Sequence, residues 1–144
     1  MKALVLAGAL AVLGACNPYL TQQSVAPPGR SARLDEVTGF WGLKHYRVEL
    51  SEGVALALTC NRGGPCEKTT VTSDDPAIAE VRPASLSALQ QVGYSTLAPA
   101  SAFVVVGKAP GKTTLHVRAK EGTRDVVVTV VAPPPAAPAL TVAK

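Results

Sequence analysis

Lys112-Thr113-Thr114-Leu115-His116-Val117-Arg118-Ala119, a turn at Glu121-Gly122, and then Arg124-Asp125-Val126-Val127-Val128-Thr129-Val130-Val131 form the stretch that decides the fold. Its first limb alternates strictly, with Thr113, Leu115, Val117 and Ala119 on one side and Lys112, Thr114, His116 and Arg118 on the other. A period of two is the signature of a strand with one buried face. Gly122 suits the positive φ that a tight hairpin needs, and the β-branched second limb returns as a strand.

Working outward, the same grammar recurs. Ala102 to Val106 is a short β-prone run stopped by Gly107 and Ala109-Pro110-Gly111. Thr70 to Ser73 is another, ended by Asp74-Asp75-Pro76. Val54, Leu56, Leu58 and Cys60 share one face of an extended segment, with Ala55, Ala57 and Thr59 on the other. Leu43 to Leu50 alternates through His45 or Tyr46, then Val48 and Leu50. Short strands separated by turn signals predict an all-β sandwich of about seven strands. Composition agrees: apolar residues are 47% of the 144, but aromatic ones only 4% and charged ones 17%. Such a core rests on Val, Leu and Ala, and long salt-bridged helices are disfavoured. Trp41, the only tryptophan, is either the large ring between the sheets or an exposed contact, and burial is the expectation.

The run Val71-Thr72-Ser73-Asp74-Asp75-Pro76-Ala77-Ile78-Ala79-Glu80-Val81 resembles the central signature of bacterial immunoglobulin-like domains of group 2. Gly107-Lys108-Ala109-Pro110-Gly111-Lys112-Thr113-Thr114-Leu115-His116-Val117 resembles that family's second signature, an entry into a hairpin. The resemblance runs from near Leu50 to Val131. It implies an Ig-like sandwich with a binding or spacer role and no catalytic residues. Two places depart from the pattern: Cys60-Asn61-Arg62-Gly63-Gly64-Pro65-Cys66, and a connector from Arg82 to Ser101 that is longer than usual.

The chain begins with Met1 and Lys2, followed by an apolar run from Ala3 to Ala15. Thirteen such residues span about 20 Å as a helix, short of a ~30 Å bilayer core, so the run has the length of a signal peptide. Leu13-Gly14-Ala15-Cys16 resembles the lipobox of bacterial lipoproteins. The resemblance implies cleavage after residue 15, lipidation of the Cys16 thiol and, often, acylation of the new amine, including by palmitate. Ordinary secretion with Cys16 merely near a cleavage site is the alternative. In Gram-negative lipoproteins Asp at +2 commonly retains the protein in the inner membrane. Asn17 stands there, so the resemblance implies the outer membrane in such a host. Net charge is +4, or +3 once Lys2 leaves with the leader, and no block of like charge supports nucleic-acid binding.

Residues 16–34 carry Pro18, Pro27, Pro28 and Gly29 and show no regular period. They read as a flexible, lipid-anchored tether or, alternatively, a partner-binding peptide. The sandwich is then expected over 35–132 and a Pro/Ala-rich tail over 133–144, stiff and solvated or docking through Leu140 and Val142.

Three cysteines are an odd number. With Cys16 lipidated, as its resemblance implies, Cys60 and Cys66 remain to bridge across the turn in an exported protein. A redox or metal pair is the alternative, disfavoured by a spacing other than two and by the lack of neighbouring histidine. No catalytic constellation emerges, and no cofactor or metal is called for. His45 and His116 read as surface residues, and Asp74-Asp75 as a turn cap with too few oxygens for calcium. Lys112, His116, Arg118 and Lys120, with Arg124 across the turn, compose a basic face that suits an acidic partner or is simply solvated. In the long connector, Leu86, Leu89 and Val92 have helical spacing after Pro83, and Leu86, Leu89 and Tyr94 are candidate partner contacts. The expected protein is a non-enzymatic, lipid-anchored module that binds a protein or envelope polymer. Its rival is a structural subunit of a larger envelope, secretion, adhesion or motility assembly.

Overall fold

A computed structural model describes residues 17–40, 43–85, 101–133 and 135. Nine strands run in chain order: β1 Tyr19–Gln22, β2 Ala32–Thr38, β3 Lys44–Ser51, β4 Ala55–Asn61, β5 Thr70–Ser73, β6 Ala79–Ser85, β7 Ser101–Gly107, β8 Gly111–Ala119 and β9 Gly122–Val131. They form two sheets, ordered β1-β4-β7-β6 and β2-β3-β9-β8-β5. All ladders are antiparallel except β3 with β9, which is parallel. Lettering β1, β4, β6 and β7 as A, B, D and E and β5, β8 and β9 as C, F and G yields A-B-E-D facing C-F-G. That is the Ig-like arrangement, with β2 and β3 added beside the last strand.

The alternation read from the sequence is what fills the core. Leu56, Leu58 and Cys60 of β4, Leu115 and Val117 of β8, and Val126 and Val128 of β9 are wholly buried. In β3 the inward residues are Tyr46, Val48 and Leu50, so Tyr46 rather than His45 carries the pattern. Tyr46 and Phe103 are the large rings between the sheets. Trp41 lies outside the described residues.

Two boundaries are corrected. Residues 17–34 are no tether: β1 pairs with β4 from Tyr19↔Asn61 to Gln22↔Leu58, and β2 pairs with β3 from Ala32↔Leu50 onward. Pro18, Leu20 and Ala32 are buried. The Gln22 side chain ties the two strands across the sandwich, donating to the Ala32 carbonyl at 3.1 Å and accepting from the Leu34 amide at 2.8 Å. The proline-rich 23–31 stretch is therefore a crossover from one sheet to the other. Among the described residues the sandwich accordingly takes in Tyr19–Gln22 and Ala32–Thr38 and has nine strands, where about seven were expected.

The second correction concerns the long connector. Arg82 to Ser85 belong to β6 and pair with Val104 to Ser101 of β7. Pro83 starts no helix; it sits in a strand at the sheet edge, where a missing N–H costs no ladder bond. The connector is thus residues 86–100, and Leu86, Leu89, Val92 and Tyr94 lie outside the described residues. So do the leader with Cys16 and the tail apart from Pro133 and Pro135.

The expected Cys60–Cys66 disulfide is present, with Cα atoms 5.4 Å apart. It staples the end of β4 to a turn already closed by the Cys66 amide on the Cys60 carbonyl at 3.1 Å and by an Asn61↔Pro65 bridge. Both sulfurs are buried in the core cluster. Closing so short a loop limits the unfolded chain by about 2 kcal/mol on the entropy account. Reduction, or Cys60→Ser with Cys66→Ser, is expected to lower the unfolding free energy by about that amount while the fold survives. Urea titration with and without reductant measures it.

Candidate functional site

The basic face expected on β8 is not basic. His116 stands opposite Asp125 of β9, and its Nδ1 lies 2.7 Å from Asp125 Oδ1 while its Nε2 lies 2.9 Å from Asp74 Oδ1. Lys120 pairs with Glu67 at 2.8 Å. Arg124 is on the other side altogether. The tight turn pairs Ala119 with Gly122 and hence Val117 with Arg124, so even-numbered residues of β8 face odd-numbered ones of β9. Arg124 thus points to the interior side, beneath the core, and its guanidinium lies 5.6 Å from the Tyr46 ring centroid. Among the described residues, Arg118 and Lys112 are left on the outer face with Arg47 and the exposed Val127. The face is mixed in charge, flanked by Arg33–Glu49 and Arg33–Asp35 pairs on β2 and β3.

The Asp74-Asp75 pair divides its labour. Asp75 caps the turn after β5: its Oδ1 accepts from the Ala77 amide at 3.0 Å, and its carbonyl accepts from Ile78 and Ala79, each at 3.1 Å. The buried Thr113 hydroxyl holds the Asp75 amide at 3.0 Å. Asp74 turns outward to His116, so the two carboxylates do not converge on one point. Among the described residues, no group of three or more His, Cys, Asp or Glu side chains is placed to hold a metal.

Chemically, His116 is a strut. Both ring nitrogens are engaged by carboxylates, so neither is left to draw a proton from a nucleophile. Those two hydrogen bonds, Asp125 first and Asp74 second, raise its pKa above the ordinary 6.5. The charged form therefore favours the folded state. A raised folded value means the stabilisation is full below the unfolded pKa and is lost as pH rises through the folded one. Thermal melts of wild type and His116→Gln are expected to differ most below the ordinary histidine value of 6.5 and to converge as pH rises through the raised folded value. A difference that is flat over that range would show that the strut carries no charge.

At the same edge of the sandwich, between β5 and β6, lies a cleft of about 250 Å³. Val71, Val81, Pro83 and Phe103 line it, with Thr69 and Ser101 beside them. The Thr69 hydroxyl oxygen is buried there without a hydrogen-bond partner, alone in this among the described side chains. The described residues that line it include no ionisable side chain; they offer apolar contact and the hydroxyls of Thr69, Thr70 and Ser101. No signal in the sequence marked it, since it arises where the two sheets part at their edges.

A third feature is the end of the sandwich where β1 starts. The Arg124 Nε donates to the Pro18 carbonyl at 2.9 Å, and another guanidinium nitrogen donates to the Lys44 carbonyl at 2.7 Å. Arg62 donates to the Asn17 carbonyl at 2.9 Å. Lys44 pairs with Glu36 at 2.7 Å and lies 5.0 Å from the Tyr19 ring centroid. The Glu36 carboxylate, held by Lys44, sits below its ordinary pKa. Two arginines thus fasten the first two described residues to the β2–β3 and β4–β5 turns. Among the described residues no helix is long and apolar enough to cross a membrane.

Neither a protein-family model nor a curated protein matches the chain. Among solved structures it is similar to domains 4 and 5 of the S-layer protein SbsC, at 23% identity and a TM-score of 0.41, covering 81% of this chain and 54% of that one. A structure of SbsC domains 5–6 is similar at 23% identity and a TM-score of 0.42, covering 84% of this chain and 48% of that one. One of SbsC domains 4–9 gives 24% identity and a TM-score of 0.43, with 85% and 16% covered. The chain spans about half the length of the first of these and less of the others, and at such values the likeness assigns it to no family.

Proposed function

We propose that this is an exported, lipid-anchored envelope protein whose Ig-like sandwich associates with a protein or an envelope polymer and catalyses nothing. The observation that carries the reading is Leu13-Gly14-Ala15-Cys16 at the end of a short apolar leader. Two or three acyl chains at ~0.8 kcal/mol per buried methylene hold a protein on a bilayer, which a single chain does not. The Cys60–Cys66 disulfide fits an oxidising compartment outside the cytosol. Asn17 at +2 favours the outer membrane in a Gram-negative host. His116, locked between two carboxylates, supports a binding rather than a catalytic role. Outer faces of mixed charge give no continuous cationic track for nucleic acid.

Cys16→Ser is expected to move the protein from the membrane fraction to a larger, unprocessed precursor. Cys16→Ser protein that is cut normally and still fractionates with lipid would overturn the anchoring. Partner capture after crosslinking intact envelopes separates the two binding roles. A weak or polymer-borne association supports the module, whereas a stoichiometric complex that resists stringent detergent favours a structural subunit. Turnover of a substrate by purified protein, lost on changing His45 or His116, would overturn both.

A further inference from the structure

The described sandwich ends in four edge strands, β1 and β6 in one sheet and β2 and β5 in the other. Alternate residues of an edge strand turn their N–H and C=O away from the neighbouring strand, and an exposed row of such groups is a template for a further strand. Three of the four edges are closed from within. On β2 the Gln22 side chain takes both the Ala32 carbonyl and the Leu34 amide, and charge follows at Glu36. On β1 the Leu20 backbone is hydrogen-bonded to the Tyr46 hydroxyl, and Lys44 lies over the neighbouring Tyr19 ring. On β6, Pro83 has no N–H to offer, the Ala79 amide donates to the Asp75 carbonyl at 3.1 Å, and Glu80 and Arg82 add charge.

β5 has none of these devices. Thr70-Val71-Thr72-Ser73 contains neither charge nor proline. The Asp74 amide donates to the Thr114 carbonyl at 3.0 Å, which sets the phase of the ladder. Thr70 and Thr72 therefore bond through their backbones to Arg118 and His116, while Val71 and Ser73 turn theirs outward. Among the described residues no strand pairs with them there. A segment laid along β5 would hydrogen-bond to Val71 and Ser73, and its residues opposite those two would share their inward face. On that side lies the cleft lined by Val71, Val81, Pro83 and Phe103. Open backbone and an apolar seat thus coincide in one register. Just before the strand, Lys68 holds a left-handed φ of 50°, and the Thr69 hydroxyl is buried without a partner. Local strain of this kind gathers at ligand clamps.

We propose that β5 is a docking edge that takes an extended segment of a partner protein as a sixth strand of its sheet, with uncharged, apolar side chains at alternate positions seated in the cleft. Outward amides and carbonyls at strand spacing match a polypeptide backbone, and neither an acyl chain nor a polysaccharide repeats that pattern. The proposal rests on the binding-module reading above and names the kind of partner.

The test uses the full mature, acylated chain, isotope-labelled in detergent micelles and followed by amide hydrogen exchange. In the protein alone, the Val71 and Ser73 amides are expected to exchange roughly tenfold or more faster than those of Thr70 and Thr72. The probe is the capped peptide Lys-Thr-Val-Thr-Val-Thr-Lys at up to millimolar concentration. It is expected to slow Val71 and Ser73 exchange roughly tenfold and to shift the resonances of Val81 and Phe103. The same peptide N-methylated at both valines keeps its side chains but loses its strand edge, and is expected to bind at least roughly tenfold more weakly. Val71→Pro removes one outward N–H and no ladder bond, and is expected to lose the peptide. Val71→Ala trims the same side chain and keeps the N–H, so binding within roughly threefold of wild type is expected.

Slow exchange at Val71 and Ser73 in the protein alone would show the edge already covered, by this chain or a second copy, and overturns the proposal. So does equal binding of the methylated peptide, which signifies an apolar pocket without strand addition, and so does no binding at millimolar peptide. Crosslinking in intact envelopes separates this failure from that of the module. A partner captured equally by wild type and Val71→Pro overturns docking at β5 and leaves the binding role standing; no partner for either overturns both.

Discussion

Leu20→Asp is expected to cost about 4 kcal/mol or more of folding free energy, enough to unfold much of a marginally stable domain. Leu20 is the inward residue of β1, 5% exposed and packed in the same cluster as Leu56, Leu58 and Tyr46. A carboxylate there would be desolvated among apolar side chains of the core. Leu20→Ala is the milder companion, at about 2 to 3 kcal/mol from lost contacts and a partly collapsed void. Urea midpoints measure both. Wild-type midpoints in the two variants would mean that β1 is not part of the folded unit, and the reading of residues 17–34 as a spacer would return.

Gly107→Val is expected to cost about 3 kcal/mol, for the opposite reason: there is no room. A Cβ at Gly107 would lie 2.9 Å from the Ser51 carbonyl oxygen, 3.1 Å from Val130 Cγ1 and 3.4 Å from Leu50 Cβ. The nearest obstacle is backbone and cannot rotate away. Nor can Gly107 retreat, because its amide donates to the Val54 carbonyl at 3.0 Å and its own carbonyl accepts from Gly53 at 2.8 Å. Here β7 abuts the turn joining β3 to β4. Gly64→Ala supplies the control. Its Cβ would meet nothing within 4 Å, so a change within about 0.5 kcal/mol is expected. Equal losses in the two variants would show that general chain entropy, not the close approach at Gly107, sets the cost.

These two sites illustrate what the sequence could and could not convey. The β8–β9 hairpin and β4 were legible because each alternates for seven residues or more with one face wholly buried. β1 and β2 were not. β1 has four residues with Leu20 alone buried, and β2 buries only Ala32 fully, so neither leaves a period to read. The partners of β1 lie 36 to 42 positions away, from Gln22↔Leu58 to Tyr19↔Asn61, which no local pattern records, while those of β2 lie 6 to 18 away, from Thr38↔Lys44 to Ala32↔Leu50. Pro83 misled for a related reason: an edge strand tolerates the ring, whereas local propensity assigned it to a helix start. The Cys60–Cys66 bridge was legible by counting. The His116 strut was not, because Asp74 and Asp125 reach it through strand register rather than sequence proximity. Arg124 was assigned to the wrong face by carrying parity across a turn that inverts it.

The chain enters the sandwich at Tyr19, beside Asn61, and leaves β9 at Val131, beside Ser51. These are opposite ends of the strands, so the path from Asn17 to Val131 runs the length of the domain. Tension applied between those two residues acts along the strands, not across them. Ladder hydrogen bonds lie perpendicular to the strands, so such a pull loads them together in shear rather than opening them one at a time. Mechanically the domain is a strut in series with whatever holds its two ends, and β1, joined to its sheet over only four residues, is the link that yields first.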